Sequence, residues 1–268
     1  MDQELTSFRS ALASVVRTPK VTLMIALPPI LSSLLGEWLM SLPFELPFPL
    51  WKIVFTAFFF ARMGLAWHRW QLLGEMPGLR KSKAPAAQRR RYQLQAAIIS
   101  VAASLGSVFG VVIFGTGLDV VSGLFGATDV SFQSAFLMGS AENNGAFLEG
   151  FVVWAPRFIL AICFAGILLW MGHSMPCLAI GLPKTAARRL DVPSIVVGAV
   201  GFGAIWFAGF LLTHTLAGMI GALPDILMDL ATLLVNAPII LCTASYVVTA
   251  KPETWAKGQM AAGTLTHA

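Results

Sequence analysis

The sequence predicts an all-α, polytopic membrane bundle of about six transmembrane helices, with both termini on the cytoplasmic side. Three observations carry that prediction. Of 268 residues, 57% are hydrophobic and only 12% are charged, about half the charge of a typical soluble globular chain. Mean hydropathy is +0.77, and a chain of this size cannot hide that much apolar surface from water. The apolar residues fall into runs of the length a bilayer demands, since ~30 Å of hydrocarbon takes ~20 residues at 1.5 Å each. Soluble enzymes, disordered chains and disulfide scaffolds are excluded, and no stretch is left for a separate catalytic domain. The whole of 1–268 reads as one integral membrane domain, with a cytoplasmic-face segment over 1–20, six spans over 21–249 and a cytoplasmic tail over 250–268.

Residues 4–18 are amphipathic. Leu5, Phe8, Leu12, Val15 and Val16 recur at helical spacing, with Arg9 and Arg17 opposite. Such a helix lies in the headgroup region or packs on the inner end of the bundle, and both readings stay open. Thr18-Pro19 breaks it before the first span. The basic residues Arg9, Arg17 and Lys20 precede an apolar run from Val21 to Met40 that is too long for a signal-peptide core, so an uncleaved signal-anchor helix is expected. Span one covers 21–40 with a kink at Pro28-Pro29. Span two covers 50–72, span three 93–117, span four 150–172, span five 194–220 and span six 226–249. The stretch 118–148 is long for a connector. Its apolar residues, Val120, Val121, Leu124, Phe125, Phe132, Phe136, Leu137 and Met138, predict short helices resting on the outer face.

Charge sets the orientation. The N-terminal segment, the end of span two with the connection after it, the connection after span four, and the tail hold 15 of the 18 basic residues. The opposite side holds only Lys52, while Arg62 and Arg157 fall within spans. With Lys and Arg retained in the cytoplasm, both termini are inside and the span count is even. An odd count would strand a basic connection on the wrong side. The net charge of +5 is therefore topological and implies no nucleic-acid partner.

Ionisable residues at membrane depth are the first functional candidates, because each costs at least ~2.5–3.5 kcal/mol to insert. They are Glu37, Arg62, Arg157, His214 and Asp229. Arg157 sits at a depth where Glu37 or Asp229 can pair with it. A structural ion pair, a polar pathway or an anion site, and snorkelling to headgroups all remain open. Small residues supply a second pattern. Ala102, Gly106 and Gly110 in span three, and Ala199, Gly203, Ala217 and Gly221 along span five, are spaced for close helix packing. They predict a tight central pair made by those two spans.

No nucleotide loop, zinc-protease helix or nucleophile elbow occurs. His68 and Glu75 lack an accompanying nucleophile, and no enzyme activity is expected. His68 and His173 are expected to be hydrogen-bonded at the interface. The pair, with Cys177 four residues after His173, falls short of a metal or haem site, so no metal and no cofactor are expected. Cys163, Cys177 and Cys242 imply no disulfide framework.

Two stretches are distinctive together: F-R-S-A-L-A-S-V-V-R-T-P-K at 8–20, followed by an apolar span, and A-W-H-R-W-Q-L-L-G-E at 66–75. The second places Trp67, His68, Arg69 and Trp70 at the end of span two, where they suit a membrane boundary or a lipid headgroup. Gly74 suits a helix cap. The two stretches resemble a loose group of six-span bacterial inner-membrane proteins, extending to the membrane domain fused to some glycerophosphodiester phosphodiesterases. That resemblance implies a bacterial source and a six-helix bundle, and no reaction. Together these features predict a non-catalytic accessory or assembly subunit. It would be surrounded by the lipid bilayer and bound to partner subunits of a larger membrane complex through its helix faces. The alternative is a transporter or lipid-handling protein working through the Arg62 and Arg157 region.

Overall fold

The computed structural model describes residues 2–40, 48–76, 84–124, 146–187, 189–220 and 225–250. Among them the regular structure is entirely helical. In chain order the α-helices are α1 (Asp2–Val16), α2 (Pro19–Met40), α3 (Phe48–Leu73), α4 (Ala86–Leu124), α5 (Ala146–Gly172), α6 (Met175–Ile180), α7 (Val192–Ile220) and α8 (Asp225–Thr249). Three stretches among the described residues are long and apolar enough to cross a membrane: 86–117, Trp154–Gly172 and Val192–Thr213. A fourth is counted if α1 and Pro19–Ser32 form one broken span, bent by 77°. This is the make-up of a helical membrane bundle, with three to four qualifying helices where the sequence predicts six.

The bend between α1 and α2 falls at the predicted Thr18-Pro19 break. Pro19 is the first residue of α2, where its missing N–H costs nothing. The Thr22 hydroxyl reaches the carbonyls of Val15 and Thr18 at 3.0 Å each and ties the corner. Of the two readings of the amphipathic stretch, the structure adopts packing against the bundle. Ser7, Ala11 and Val15, spaced by four, are the buried stripe of α1. Leu5 and Val16 remain exposed. Ser7 and Thr249 exchange side-chain-to-backbone bonds, at 3.5 and 3.2 Å, which holds α1 on the end of α8.

The six long helices pack as a ring, in the order α2, α3, α4, α5, α7, α8 and back to α2. A further contact between α3 and α8 crosses the ring. It separates a compact α2–α3–α8 side from a wider five-helix ring of α3, α4, α5, α7 and α8. The ends of α3 and α8, the start of α4, and helices α1 and α6 lie together at one end, called basal here.

At 39 residues, α4 is about 58 Å long, well beyond the ~30 Å of a hydrocarbon core. It continues past Gly117, where the sequence predicts a loop, to Leu124. The expected short outer helices fall at 125–145, outside the described residues. Helices α2, α5 and α8 run through Pro28, Pro29, Pro156 and Pro238.

The glycine stripes correct the predicted central pair. Both stripes face α5 instead of each other. A Cβ on Gly106 would meet the Ile167 side chain, and one on Gly110 would lie 2.8 Å from Cys163 Sγ. A Cβ on Gly203 would lie 2.8 Å from Ile162 Cα. Ala199 contacts the Gly166 position at 3.4 Å. The physical reason is volume. Two glycine grooves facing each other leave a void, whereas Ile162, Cys163 and Ile167 on α5 supply the ridges that fill both. Ala102 is half-buried on α4, the side chain of Ala217 is not among those described, and Gly221 lies outside the described residues.

Candidate functional site

The distinctive end of α3 turns inward. Trp67 is fully buried, His68 is 3% exposed, Arg69 is 8% exposed, and Trp70 is half-buried against Trp67. Helix α3 stops at Leu73 because Gly74 adopts a φ of 65°, which glycine accepts without strain. Its N–H bonds the Trp70 carbonyl at 3.0 Å. This turn brings Glu75 back to Arg69. The guanidinium grips the carboxylate in a bidentate pair, Nε to Oε2 at 2.8 Å and Nη2 to Oε1 at 2.5 Å. The third arm, Nη1, donates to the Ala179 carbonyl at 2.8 Å. That carbonyl belongs to the last turn of α6, whose acceptors have no partners within the helix. Gln88 Nε2 covers the same end, reaching the carbonyls of Leu178 and Ala179 at 3.0 and 2.7 Å. Arg69, predicted at the headgroups, thus fastens α3 to α6, and Gln88 fastens α4 to the same end.

A second polar hub sits beside it. Ser245 is fully buried. Its hydroxyl accepts from Trp67 Nε1 at 2.7 Å and Gln71 Nε2 at 2.9 Å. Ser14 Oγ lies 2.9 Å from it and spends its own single hydrogen on the Ala11 carbonyl at 2.7 Å. Ser245 therefore donates to Ser14 and is saturated, with two bonds accepted and one given. One side chain joins α1, α3 and α8.

Above these hubs the five-helix ring lines a partly open cavity of about 470 Å³, within the range of small-molecule sites. Its walls are mainly apolar, including Phe60, Ile99, Phe164, Leu168, Phe202 and Ile240. At the basal floor stand His68 and Tyr92. His68 Nε2 lies 3.3 Å from the Ala244 carbonyl, which can only accept, so Nε2 carries the hydrogen. Nδ1 then accepts the Tyr92 hydroxyl at 2.9 Å. A neutral imidazole satisfies both partners. Gly64 makes the room, since a Cβ there would lie 2.8 Å from Tyr92 Oη.

Higher in the cavity stand Ser100, Ser104, Trp206 and Asn236, while Thr243, next to Ala244, lines it at the level of the floor. Trp206 Nε1 lies 2.5 Å from Asn236 Oδ1. Thr243 and Ser104 give their hydrogens to the carbonyls of Ile239 and Ser100, at 2.9 Å each, and keep oxygen lone pairs. Helical rise sets the spacing. Ser100 is eight residues along α4 from Tyr92, and Asn236 is eight residues along α8 from Ala244. Both therefore stand about 12 Å above the floor.

The predicted intramembrane charges stand elsewhere. Arg62 is exposed on α3. Arg157 is half-buried, its guanidinium 5.0 Å from the Trp154 ring centre and 5.4 Å from that of Phe210, a cation–π arrangement. Neither lines the cavity. Glu37, His214 and Asp229 lie on helices, and their side chains, with the expected pairing to Arg157, fall outside those described. His173 Nδ1 bonds the Trp170 carbonyl at 2.7 Å. Among the described residues no three His, Cys, Asp or Glu side chains cluster as metal ligands.

The search for expensive charges missed the groups that line the cavity, namely Tyr92, Ser100, Trp206, Asn236 and Thr243. The available signal was a neutral one: Asn236 is a lone carboxamide in the apolar run L-L-V-N-A-P-I-I. Comparison with known proteins found no matching family model, curated protein or solved structure.

Proposed function

We propose that this chain is a six-span bacterial inner-membrane protein, with both termini cytoplasmic, that takes an apolar ligand from the bilayer into the cavity of its five-helix ring. It is read as a lipid-handling protein without a catalytic centre. The observation that carries this reading is the cavity itself: about 470 Å³ of mainly apolar space with a few placed polar groups. The sidedness rests on the sequence, in which Lys and Arg concentrate in the N-terminal segment, the connections after spans two and four, and the tail. The resemblance of residues 8–20 and 66–75 to six-span inner-membrane proteins supports the span count.

The test fills the space. Ala96 and Ser104 line the cavity, and Ala96→Phe with Ser104→Phe occupies it. Wild type and the filled variant are purified in mild detergent and their bound lipids are measured by native mass spectrometry. Retention of a lipid by wild type and its loss from a filled variant with an unchanged melting temperature supports the reading. Identical lipid content in the two proteins overturns it.

A second reading, the accessory or assembly subunit, draws on α4. Its exposed face carries Leu94, Ile98, Val101, Leu105, Val108 and Val112 in an unbroken apolar line, on which a partner helix can lie. Gentle purification at natural abundance separates the two. A stoichiometric protein partner favours the subunit, and recovery with lipid alone favours the carrier.

A further inference from the structure

We infer that the cavity selects an uncharged lipid, and that Asn236 recognises it by donating its carboxamide hydrogens to a ligand carbonyl or hydroxyl oxygen. This rests on the ligand-binding reading above and specifies the class of molecule.

Among the described residues, those lining the cavity include no Asp, Glu, Lys or Arg. The one imidazole, His68, has both nitrogens engaged by Tyr92 and Ala244. A phosphate or ammonium drawn into this space would meet no counter-ion from its lining, and burying an unpaired charge is prohibitive.

Ser100, Asn236 and Trp206 stand about 12 Å from the basal floor, well inside the bundle rather than at its edge. The polar groups therefore sit at a level that a charged lipid head cannot reach without losing its hydration. An uncharged lipid carries its oxygen atoms to that depth at far lower cost, and its hydrocarbon then occupies the apolar chamber between Asn236 and His68.

An indole N–H only donates, so the Asn236 atom facing Trp206 is Oδ1, and the carboxamide cannot be flipped. Its Nδ2 is thereby fixed as a donor, and among the described residues it has no protein partner. The Ser100 hydroxyl at the same height also has none. In a hydrocarbon setting such groups gain most from a ligand that accepts. The oxygen of Ser104, one turn along α4 from Ser100, is left as an acceptor, so a molecule carrying both a hydroxyl and an ester carbonyl satisfies these groups.

The experiment uses the full chain in phosphatidylcholine nanodiscs with two photoreactive probes of identical acyl chains, a diacylglycerol and a phosphatidic acid. The expected result is crosslinking of the diacylglycerol to cavity-lining peptides of α4 and α8, competed by unlabelled diacylglycerol, with little from the phosphatidic acid. Asn236→Leu should weaken that competition about tenfold, the loss of one hydrogen bond whose partner is then stranded. Asn236→Ala removes the carboxamide without adding bulk and should weaken it as much, which covers the case where the leucine variant does not fold. Equal labelling by the two probes overturns the selection of an uncharged lipid while leaving the ligand-binding reading in place. Unchanged competition in both variants overturns the role of Asn236. Labelling of the cavity by neither probe removes the ligand-binding reading itself.

Discussion

Replacing Ser245 by alanine removes one oxygen atom and disconnects three helices. Trp67 Nε1 and Gln71 Nε2 both donate to that hydroxyl, at 2.7 and 2.9 Å, and both lose their acceptor. Trp67 is fully buried, so water cannot take the place of the hydroxyl. A stranded buried donor costs about 1–3 kcal/mol, and Gln71, being half-buried, contributes at the low end. The expected loss is about 2–4 kcal/mol, most of it felt where α1, α3 and α8 meet. The comparison variant is Ser104→Ala. Its hydroxyl donates to the Ser100 carbonyl within one helix, so its removal strands no donor and should cost less than ~0.5 kcal/mol. Thermal melting of both proteins in the same detergent, followed by size-exclusion chromatography with tryptophan fluorescence, measures the difference. Adding Trp67→Phe to Ser245→Ala should recover part of the loss, because the stranded indole N–H is then gone. If Ser245→Ala melts alongside Ser104→Ala, the hub contributes nothing and the reasoning fails.

Three further outcomes are expected. Among glycine-to-alanine variants, Gly203→Ala should be the most damaging, by about 1–3 kcal/mol, because its Cβ would lie 2.8 and 2.9 Å from Ile162 backbone atoms that cannot rotate away. Gly172→Ala meets nothing within 4 Å and should melt at or slightly above wild type, so a reversed order would dismiss the α5–α7 seam as the tight contact. Arg69→Ala should destabilise by about 3 kcal/mol, the low end for a broken buried pair since Glu75 is 23% exposed, and Arg69→Lys should recover less than half, since an ammonium cannot make the bidentate grip; full recovery by lysine would reduce the site to simple charge pairing. Burial pushes the Cys177 thiol up to about 11. A raised thiol pKa means a protonated, unreactive sulfur at every pH below that value, so maleimide should label Cys177 at pH 7–8 only after denaturation, and rapid labelling of the native protein would show that α6 opens.

The helical membrane character was legible because the bilayer imposes a length and a composition that no packing detail overrides. The break at Thr18-Pro19 and the cap at Gly74 were legible for a similar reason, since each follows from the backbone freedom of one residue. Other features depend on the partner across the interface. The stripes Gly106–Gly110 and Ala199–Gly203 state that something packs closely, but only the bulk of Ile162, Cys163 and Ile167 decides that it is α5. The W-H-R-W stretch has the composition of a membrane boundary. Its inward turn depends on Ser245, Ala179 and Glu75 arriving from α8, α6 and the Gly74 turn.

The least legible feature was the cavity, and the reason lies in how polar groups behave at depth. A buried charge announces itself by its cost, and attention goes to Arg62 and Arg157. Arg157 is accommodated by the faces of Trp154 and Phe210, and Arg62 points away from the bundle interior. Neutral polar side chains cost less, so a membrane helix tolerates them singly for structural ends, as Thr243 and Ser104 do by bonding their own helix. Ser100, Trp206 and Asn236 differ because three helices carry them to one height beside the same space. An isolated asparagine in an apolar run is therefore ambiguous, but an asparagine whose oxygen is held by an indole and whose N–H groups lack a protein partner among the described residues is directional. That direction separates a cavity left by loose packing, which would be lined by apolar atoms alone, from one shaped to receive an oxygen-bearing molecule.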